Sequence, residues 1–356
     1  MCTENSWVAG MARIVNVMRR GVVSVIVMAA ITSVTAYAQS DHYVPGTFNI
    51  RDLALPPEPG LYGAVYNYGY LTDNLKDNDG NQIKSVTLTG PDGRLSTTIN
   101  IKTKVDLYAL IPAVIWVPKP KILDATYAIF VAPSFANASL SASLSRVDGA
   151  GLNAAKAQFN VGDTFVAPLW LDWAGKHYDI GLNYGFYIPT GKYTINTYNA
   201  PIVGPVRVAA ADNVGLGFWE NQSQYIFYYY PWPDKRMAIQ NALTWEIDQK
   251  TRGFDLTQGQ YVTWNWGVSE YLPLKKDESI LGEIGTAGYG NFQVSDNTGT
   301  DARNPANLER AWAAGVQAGV TFPKKLIIFN FHWMHEFAAQ NRFQGTVLGL
   351  SLTARL

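Results

Sequence analysis

Apolar and polar side chains alternate strictly along the last fourteen residues of the chain, 343–356. One face would carry Thr346, Leu348, Leu350, Leu352, Ala354 and Leu356, and the other Val347, Gly349, Ser351, Thr353 and Arg355. A period of two is the pattern of a β-strand with one apolar face. In a soluble sandwich that face packs on a core, whereas in an outer-membrane barrel it faces lipid and the polar face lines the interior. This strand alone does not distinguish the two folds.

The same period recurs along the chain and predicts twelve strands. Their approximate ranges are 62–70, 103–117, 125–140, 163–173, 177–188, 222–230, 238–249, 260–269, 280–294, 311–322, 326–337 and 345–356. The clearest alternation is in 177–188, which places Tyr178 and Ile180 outside and Asp179 and Asn183 inside. Strands of about ten residues are long enough for a tilted crossing of a bilayer.

The connections between these strands fall into two classes that alternate along the chain. Short turns are predicted at 118–124, 174–176, 231–237, 271–277 and 323–325, and longer loops at 73–102, 147–162, 189–221, 250–259 and 295–310. Short turns at one end, long loops at the other and an even strand count are typical of outer-membrane barrels. We therefore predict an all-β fold, a transmembrane antiparallel β-barrel of about 12 strands (range 10–14), with a secreted sandwich or lectin as the alternative.

Aromatic side chains are frequent, at 13% of the residues, while charged residues make up only 16%. A large lipid-facing surface would produce this composition, because soluble domains carry about 25% charged residues. Residues 62–70 are predicted to present a tyrosine-rich outer face. The candidates for aromatic girdles at the lipid headgroups are Tyr62, Tyr70, Trp173, Trp264, Trp266, Trp312 and Trp333.

The N-terminus has the layout of a secretory signal peptide. Three arginines precede an apolar run over 21–34, and Ala36-Tyr37-Ala38 follows as a small-x-small cleavage site. We predict a signal peptide at 1–38, a proline-containing leader or partial plug at 39–59, and a barrel at 60–356. The single cysteine, Cys2, lies in the predicted signal peptide, so neither disulfides nor thiol chemistry are expected in the mature chain.

Few residues suggest catalysis. The formal net charge is +0, which gives no support to nucleic-acid binding. There is no G-x-S-x-G motif and no helix-borne pair of histidines at zinc spacing, so we expect no enzyme activity, no cofactor and no metal site. The alternative is an outer-membrane enzyme of the lipid hydrolase type, in which His332 and Glu336 share the inner face with a serine such as Ser351.

Ten polar residues are predicted to line the lumen, because each falls on an inward position of its strand. They are Asp179, Asn183, Glu246, Asp248, Asn265, Gln317, Asn330, His332, Glu336 and Arg355. As a set they would shape the electrostatic field of a passage. Any one of them could instead be solvated wall.

Four segments of the chain resemble a known family. They are PGLYGAVYNYGYLTDNLKDNDGN (59–81), PTGKY (189–193), LGFWENQ (216–222) and WMHEFAAQNRFQGTVLGLSLTARL (333–356). The most specific residues are Trp333, His335, Glu336, Phe337, Asn341, Arg342 and Gly345. The chain resembles the outer-membrane transporters linked to the phenol meta-cleavage degradation pathway, which look like relatives of hydrophobic-compound uptake channels. The resemblance covers nearly the whole mature chain and implies transport of hydrophobic or aromatic compounds.

The combined expectation is an integral protein of the bacterial outer membrane, with both termini in the periplasm, that passes small hydrophobic or aromatic compounds. The expected partners are outer-membrane lipid, small hydrophobic solutes and, through the C-terminal strand, the outer-membrane assembly machinery. A surface barrel without transport is the other alternative to the channel.

Overall fold

The computed structural model describes residues 41–89, 96–146, 151–153, 158–200, 204–210, 213–302 and 308–356. The predicted signal peptide and its cleavage site lie outside these residues. Within the described part of the chain, no helix is long and apolar enough to cross a lipid bilayer.

Twelve antiparallel strands close into a barrel, as predicted. They are β1 (Gly60–Leu75), β3 (Ser96–Val117), β4 (Thr126–Arg146), β6 (Asn160–Ala174), β7 (Tyr178–Ile188), β10 (Glu220–Tyr229), β11 (Met237–Asp248), β12 (Tyr261–Pro273), β13 (Leu281–Gln293), β14 (Arg310–Phe322), β15 (Ile327–Gln340) and β16 (Phe343–Arg355). Each pairs with its neighbours along the chain, and β1 also pairs with β16. That last pairing leaves no free edge in the ring, which is the requirement for a sheet in lipid.

The two ends of the barrel differ, and we name them by their connections. At the short-turn end, β1 begins and β16 ends, and the turns include a 3₁₀ turn, Pro323–Lys325. At the long-loop end, β2 (Ser85–Thr89) pairs with the start of β3, and β5 (Gly151–Asn153) pairs with β4. The predicted loop 73–102 therefore contains a hairpin, and β3 continues from it into the barrel wall without a break.

The stretch 189–221, predicted to be irregular, contains a separate hairpin. Strand β8 (Ile195–Ala200) pairs with β9 (Gly204–Ala209) in a register that runs from Ile195–Ala209 to Ala200–Gly204. Each of these two strands has only six residues, too few for alternation to distinguish a strand from a loop.

Side chains alternate between the two faces of the wall. In β15, Asn330 and His332 are buried, while Phe329, Phe331 and Trp333 are exposed on the outside. The predicted girdle residues Trp264, Trp312 and Trp333 are also exposed on the outer face. An apolar outer band with an inward polar set is the arrangement that a barrel needs in a membrane.

Replacing Phe331 by lysine should destabilise the folded barrel by about 2–4 kcal/mol, because the ammonium group would enter the hydrocarbon near the bilayer midplane. Phe331 is 46% exposed and pairs with Ala318 and Leu350, near the middle of its strand. Urea unfolding in lipid vesicles measures the difference. Phe331→Leu is the control and should stay near wild type, and a lysine variant as stable as that control would contradict the lipid-facing assignment.

Strand β1 corrects the predicted tyrosine-rich outer face. Tyr62, Tyr66, Tyr68 and Tyr70 are 3–8% exposed and point into the barrel. Their outward neighbours are leucine, valine, glycine and Asn67, and among them Leu71 is 46% exposed. The prediction was wrong because tyrosine suits either face, since its ring packs on apolar groups and its hydroxyl forms hydrogen bonds. Inside the barrel the Tyr70 hydroxyl donates to Glu336 at 2.7 Å.

Residues 41–59 are called the inner segment; 41–55 lie inside the barrel, and 57–59 are exposed at the short-turn end. Ile50 and Leu53 are 1% and 2% exposed. Four backbone N–H groups of the segment donate to side chains of four different strands: Tyr43 to Glu246 at 2.9 Å, Ile50 to Gln317 at 2.9 Å, Leu53 to the Tyr228 hydroxyl at 3.2 Å, and Leu55 to Asp172 at 2.9 Å. The segment has no regular structure of its own, so the barrel wall supplies partners for its backbone.

Arg51 holds the inner segment near the short-turn end. Its guanidinium donates to Glu283 at 3.1 Å and to the backbone carbonyls of Lys235 and Arg236 at 3.0 and 2.6 Å. The guanidinium also lies 3.9 Å above the centre of the Tyr271 ring. These contacts join the segment to β12, β13 and the turn between β10 and β11.

Candidate functional site

The inner face of the barrel has an apolar side and a polar side. Strands β3, β4 and β6 present alanine, isoleucine and phenylalanine to the lumen, and Ile115, Phe130, Ala132 and Phe165 belong to one buried hydrophobic cluster. Strands β10 to β16 present mainly amides, carboxylates and hydroxyls. Strands β3, β4 and β6 alternate between inward and outward side chains as regularly as the other strands do, but their inward side chains are apolar.

A cavity of about 90 Å³ lies between the apolar side and the inner segment. Its apolar lining comprises Val44, Phe48, Leu107, Ala109, Ile111, Phe130, Ala132, Ala136, Phe165, Val214 and Leu216. Its polar lining comprises His42, Tyr43, Thr47, Tyr66, Ser134, Asp163 and Tyr187. An apolar cavity with a few polar groups is the usual form of a site for small organic molecules.

His42 of the inner segment forms the polar boundary of this cavity. Its Nε2 lies 2.8 Å from Asp163, its Nδ1 lies 2.9 Å from Glu220, and its ring stacks on Tyr187 with a centroid distance of 4.7 Å. Burial opposes protonation of the imidazole, but the charges and hydrogen bonds of Glu220 and Asp163 outweigh it and raise the His42 pKa to about 9. Without another ligand, the imidazole therefore joins the two carboxylates as a cation.

More carboxylates lie close to His42. Glu220 and Asp248 face each other across β10 and β11, and Glu246 follows on the inner face of β11. Burial raises the pKa of Asp41, in the inner segment, to about 6, and the nearby Arg342 opposes this rise. When both are ionised, carboxylates directly opposite on neighbouring strands repel each other and destabilise the sheet.

Four of the predicted lumen residues contact the buried part of the inner segment, residues 41–55. Glu246 accepts from the Tyr43 backbone, Asn265 donates to the Tyr43 hydroxyl, Gln317 accepts from the Ile50 backbone, and His332 contacts Asn49, all at 2.9 Å. The structure thus brings residues that are far apart in sequence together around the inner segment.

The other six predicted residues have different surroundings. Asp179 accepts from Tyr230 at 2.6 Å and from Lys235 at 2.7 Å. Glu336 is fully buried and accepts from Tyr70, Tyr289 and the Gly345 backbone. Arg355 lies at the short-turn end and binds Glu58 and the Pro59 carbonyl. The remaining three are buried, and each has a side-chain oxygen that no described residue hydrogen-bonds: Asn183, Asp248 and Asn330.

The residues of the alternative enzyme hypothesis contact Asn49 and tyrosines. His332 Nδ1 lies 2.9 Å from Asn49 Oδ1, and Asn49 Nδ2 donates to Ser351 at 2.7 Å. Glu336 is occupied by Tyr70 and Tyr289 hydroxyls. The hydrogen bonds of the described residues therefore do not link a serine to a histidine base in the way that nucleophilic catalysis requires.

Four residues of this polar cluster were not predicted from the sequence: Asp41, His42, Asp163 and Glu220. His42 and Asp41 fall in the predicted leader, where no strand period assigns a direction. Asp163 and Glu220 lie at or just before the predicted starts of their strands, at 163 and 222. Alternation could have identified Glu220. The inward positions of the predicted strand 222–230 fall on every second residue, and the next such position before 222 is 220.

Comparisons with known proteins agree with this architecture. An outer-membrane channel from Pseudomonas putida F1 is similar in structure, with a TM-score of 0.60 and 14% sequence identity, over 88% of this chain and 100% of that chain. A FadL homologue from Pseudomonas aeruginosa matches with a TM-score of 0.39 and 11% identity, over 90% of this chain and 98% of that one. No curated protein gives a significant sequence match.

The closed ring of strands, the apolar outer surface and the inward polar set define an outer-membrane β-barrel. Within that class, the chain belongs to the family described as "Putative MetA-pathway of phenol degradation", whose model matches residues 72–352. The family resemblance inferred from the sequence is confirmed.

Proposed function

We propose that this protein is an outer-membrane channel for small hydrophobic or aromatic compounds. The observation that carries the proposal is the apolar cavity inside the barrel, between the inner segment and strands β3, β4 and β6. A general water-filled pore has no need of an apolar inner surface, because such a surface would bind and retain apolar solutes. The family description supports the same substrate class, since phenol is a small aromatic molecule.

The inner segment closes the passage at rest in this proposal. It fills the lumen with buried side chains, and its hydrogen bonds reach strands on several sides of the wall. Passage then requires the segment to shift or to leave part of the lumen. Backbone hydrogen bonds such as that of Leu53 contribute only about 0.5–1.5 kcal/mol each. The ion pairs of His42 and Arg51 with the wall would have to open before the segment moves.

We place the short-turn end and both termini of the mature chain in the periplasm, because outer-membrane barrels have short periplasmic turns. The predicted signal peptide at 1–38 would bring the chain there. Strand β16 would be the part recognised by the assembly machinery, and its Leu348, Leu350 and Leu352 face outwards. Lipid would contact that outer surface, and small apolar solutes the inner one.

Replacing Ala132 by tryptophan should reduce uptake of an apolar aromatic compound several-fold. Ala132 lines the cavity and is 5% exposed, so an indole there would occupy the space proposed for the substrate. Uptake of radiolabelled toluene is measured in cells with an intact lipopolysaccharide layer, where passive entry is slow. Folding is checked by heat-modifiable migration in gels, and Ala132→Leu provides a milder variant.

The matched control is Ala318→Trp, which adds the same side chain on the exposed outer face of β14. It should leave uptake unchanged. If both tryptophan variants take up toluene as fast as wild type, the cavity is not part of the route. A wild-type chain that gives no uptake above cells lacking it would favour a surface barrel without transport.

A further inference from the structure

Three side chains near the long-loop end have the arrangement of a metal site. Ligand atoms of His42, Glu220 and Asp248 all lie within 4.8 Å of one another. The three residues are 6%, 0% and 7% exposed. They come from three separate elements, the inner segment, β10 and β11, so no local turn geometry accounts for their approach.

Unpartnered oxygens point to a missing ligand at this place. Neither carboxylate oxygen of Asp248 has a hydrogen-bond partner among the described residues, and the same holds for Glu220 Oε1. Buried carboxylates are normally paired, hydrogen-bonded or bound to a metal. The nearby Arg342 is bound elsewhere, to Glu336 and Asn291.

Asp163 orients the imidazole in the way that carboxylates orient metal-binding histidines. Its Oδ2 lies 2.8 Å from His42 Nε2, which leaves Nδ1 directed at Glu220. Asp163 is itself fixed, because it accepts from the Gly191 and Leu216 backbones, both at 2.8 Å. A carboxylate on the second ring nitrogen sets the tautomer and orientation of a ligating histidine.

We propose that His42 Nδ1, Glu220 and Asp248 bind one divalent transition-metal cation, with Zn²⁺ as the best match. The cation would take the place of the proton that His42 Nδ1 shares with Glu220, and it would neutralise the facing carboxylates of β10 and β11. One imidazole and two carboxylates suit zinc, whereas calcium and magnesium prefer ligand sets of oxygen alone. The bound metal would join the inner segment to the wall.

The test measures metal binding directly and does not depend on transport. Protein without a polyhistidine tag is purified in detergent, treated with a chelator, desalted and titrated with ZnCl₂ by calorimetry, and retained zinc is counted by mass spectrometry. We expect one zinc per chain. Asp248→Asn and Glu220→Gln should abolish stoichiometric binding, and Asp163→Asn should weaken it by about 10–100-fold, as substitutions behind a metal ligand do.

His177→Gln is the control, because His177 is an exposed histidine near the short-turn end and its loss should leave binding unchanged. Heat-modifiable migration confirms that each variant is folded. The proposal is overturned if wild type retains no zinc, if Asp248→Asn and Glu220→Gln bind zinc as wild type does, or if CaCl₂ binds stoichiometrically and ZnCl₂ does not.

Discussion

Deleting residues 41–59 should raise the permeability of the barrel to small polar solutes by an order of magnitude or more. In the intact chain, Tyr43, Ile50 and Leu53 of this segment are at most 3% exposed, so they occupy space that would otherwise be lumen. None of the described strands pairs with this segment, so the ring can form without it. Conductance in planar bilayers and swelling of solute-loaded vesicles measure the change.

A milder variant separates loss of the segment from loss of the fold. Arg51→Ala removes the contacts with Glu283, Tyr271 and the turn carbonyls but leaves every strand intact. Its conductance should lie between those of wild type and the deletion. Arg252→Ala is the control, since Arg252 is an exposed loop residue that binds the Tyr193 carbonyl. Equal conductance of wild type and a correctly folded deletion would show that the segment does not obstruct the lumen.

Replacing Glu336 by glutamine should destabilise the barrel by about 3–5 kcal/mol, the range for removing one partner of a buried charged group. Glu336 is fully buried. It accepts from Tyr70 at 2.7 Å, from Tyr289 at 2.8 Å and from the Gly345 backbone at 2.7 Å, and Arg342 lies 3.6 Å away. Glutamine removes the charge and turns one acceptor into a donor that faces other donors.

Urea unfolding in vesicles measures this loss against Glu270→Gln, which changes an exposed acid of β12 in the same way. The control should stay within about 0.5 kcal/mol of wild type, as surface substitutions usually do. If the two variants unfold at the same urea concentration, then Glu336 does not organise β1, β13 and β15 as its hydrogen bonds suggest.

The strands of the barrel could be predicted from the sequence because each one carries its own alternation of apolar and polar side chains. In β7 the pattern predicts Asp179 and Asn183 inside and Tyr178 and Ile180 outside, because a carboxylate or amide is unfavourable in hydrocarbon. In the structure the first two are buried and the other two are exposed. In β1, alternation gave the two faces but not their directions. Tyrosine beside glycine and valine does not reveal which face meets lipid, and the answer depends on what fills the lumen.

The polar cluster around His42 was predictable only in part, because alternation assigns directions only to residues that lie in strands. Glu246 and Asp248 were placed on the inner wall because they fall in a regular strand. Their closeness to His42 depends on a segment that enters the lumen without any period of its own. The contacts between His42 and Glu220 span 178 residues, and nothing local in the sequence encodes such a pairing.

Substrate selectivity in whole cells tests the central proposal most directly. Cells with an intact lipopolysaccharide layer, with and without this chain, are given radiolabelled toluene and, separately, radiolabelled glycerol as a small polar solute. An outer-membrane channel that uses the apolar side of its lumen should raise the rate of toluene uptake clearly and glycerol uptake little. An equal rise for both solutes, or a rise for glycerol alone, would contradict a hydrophobic route and indicate a general aqueous pore.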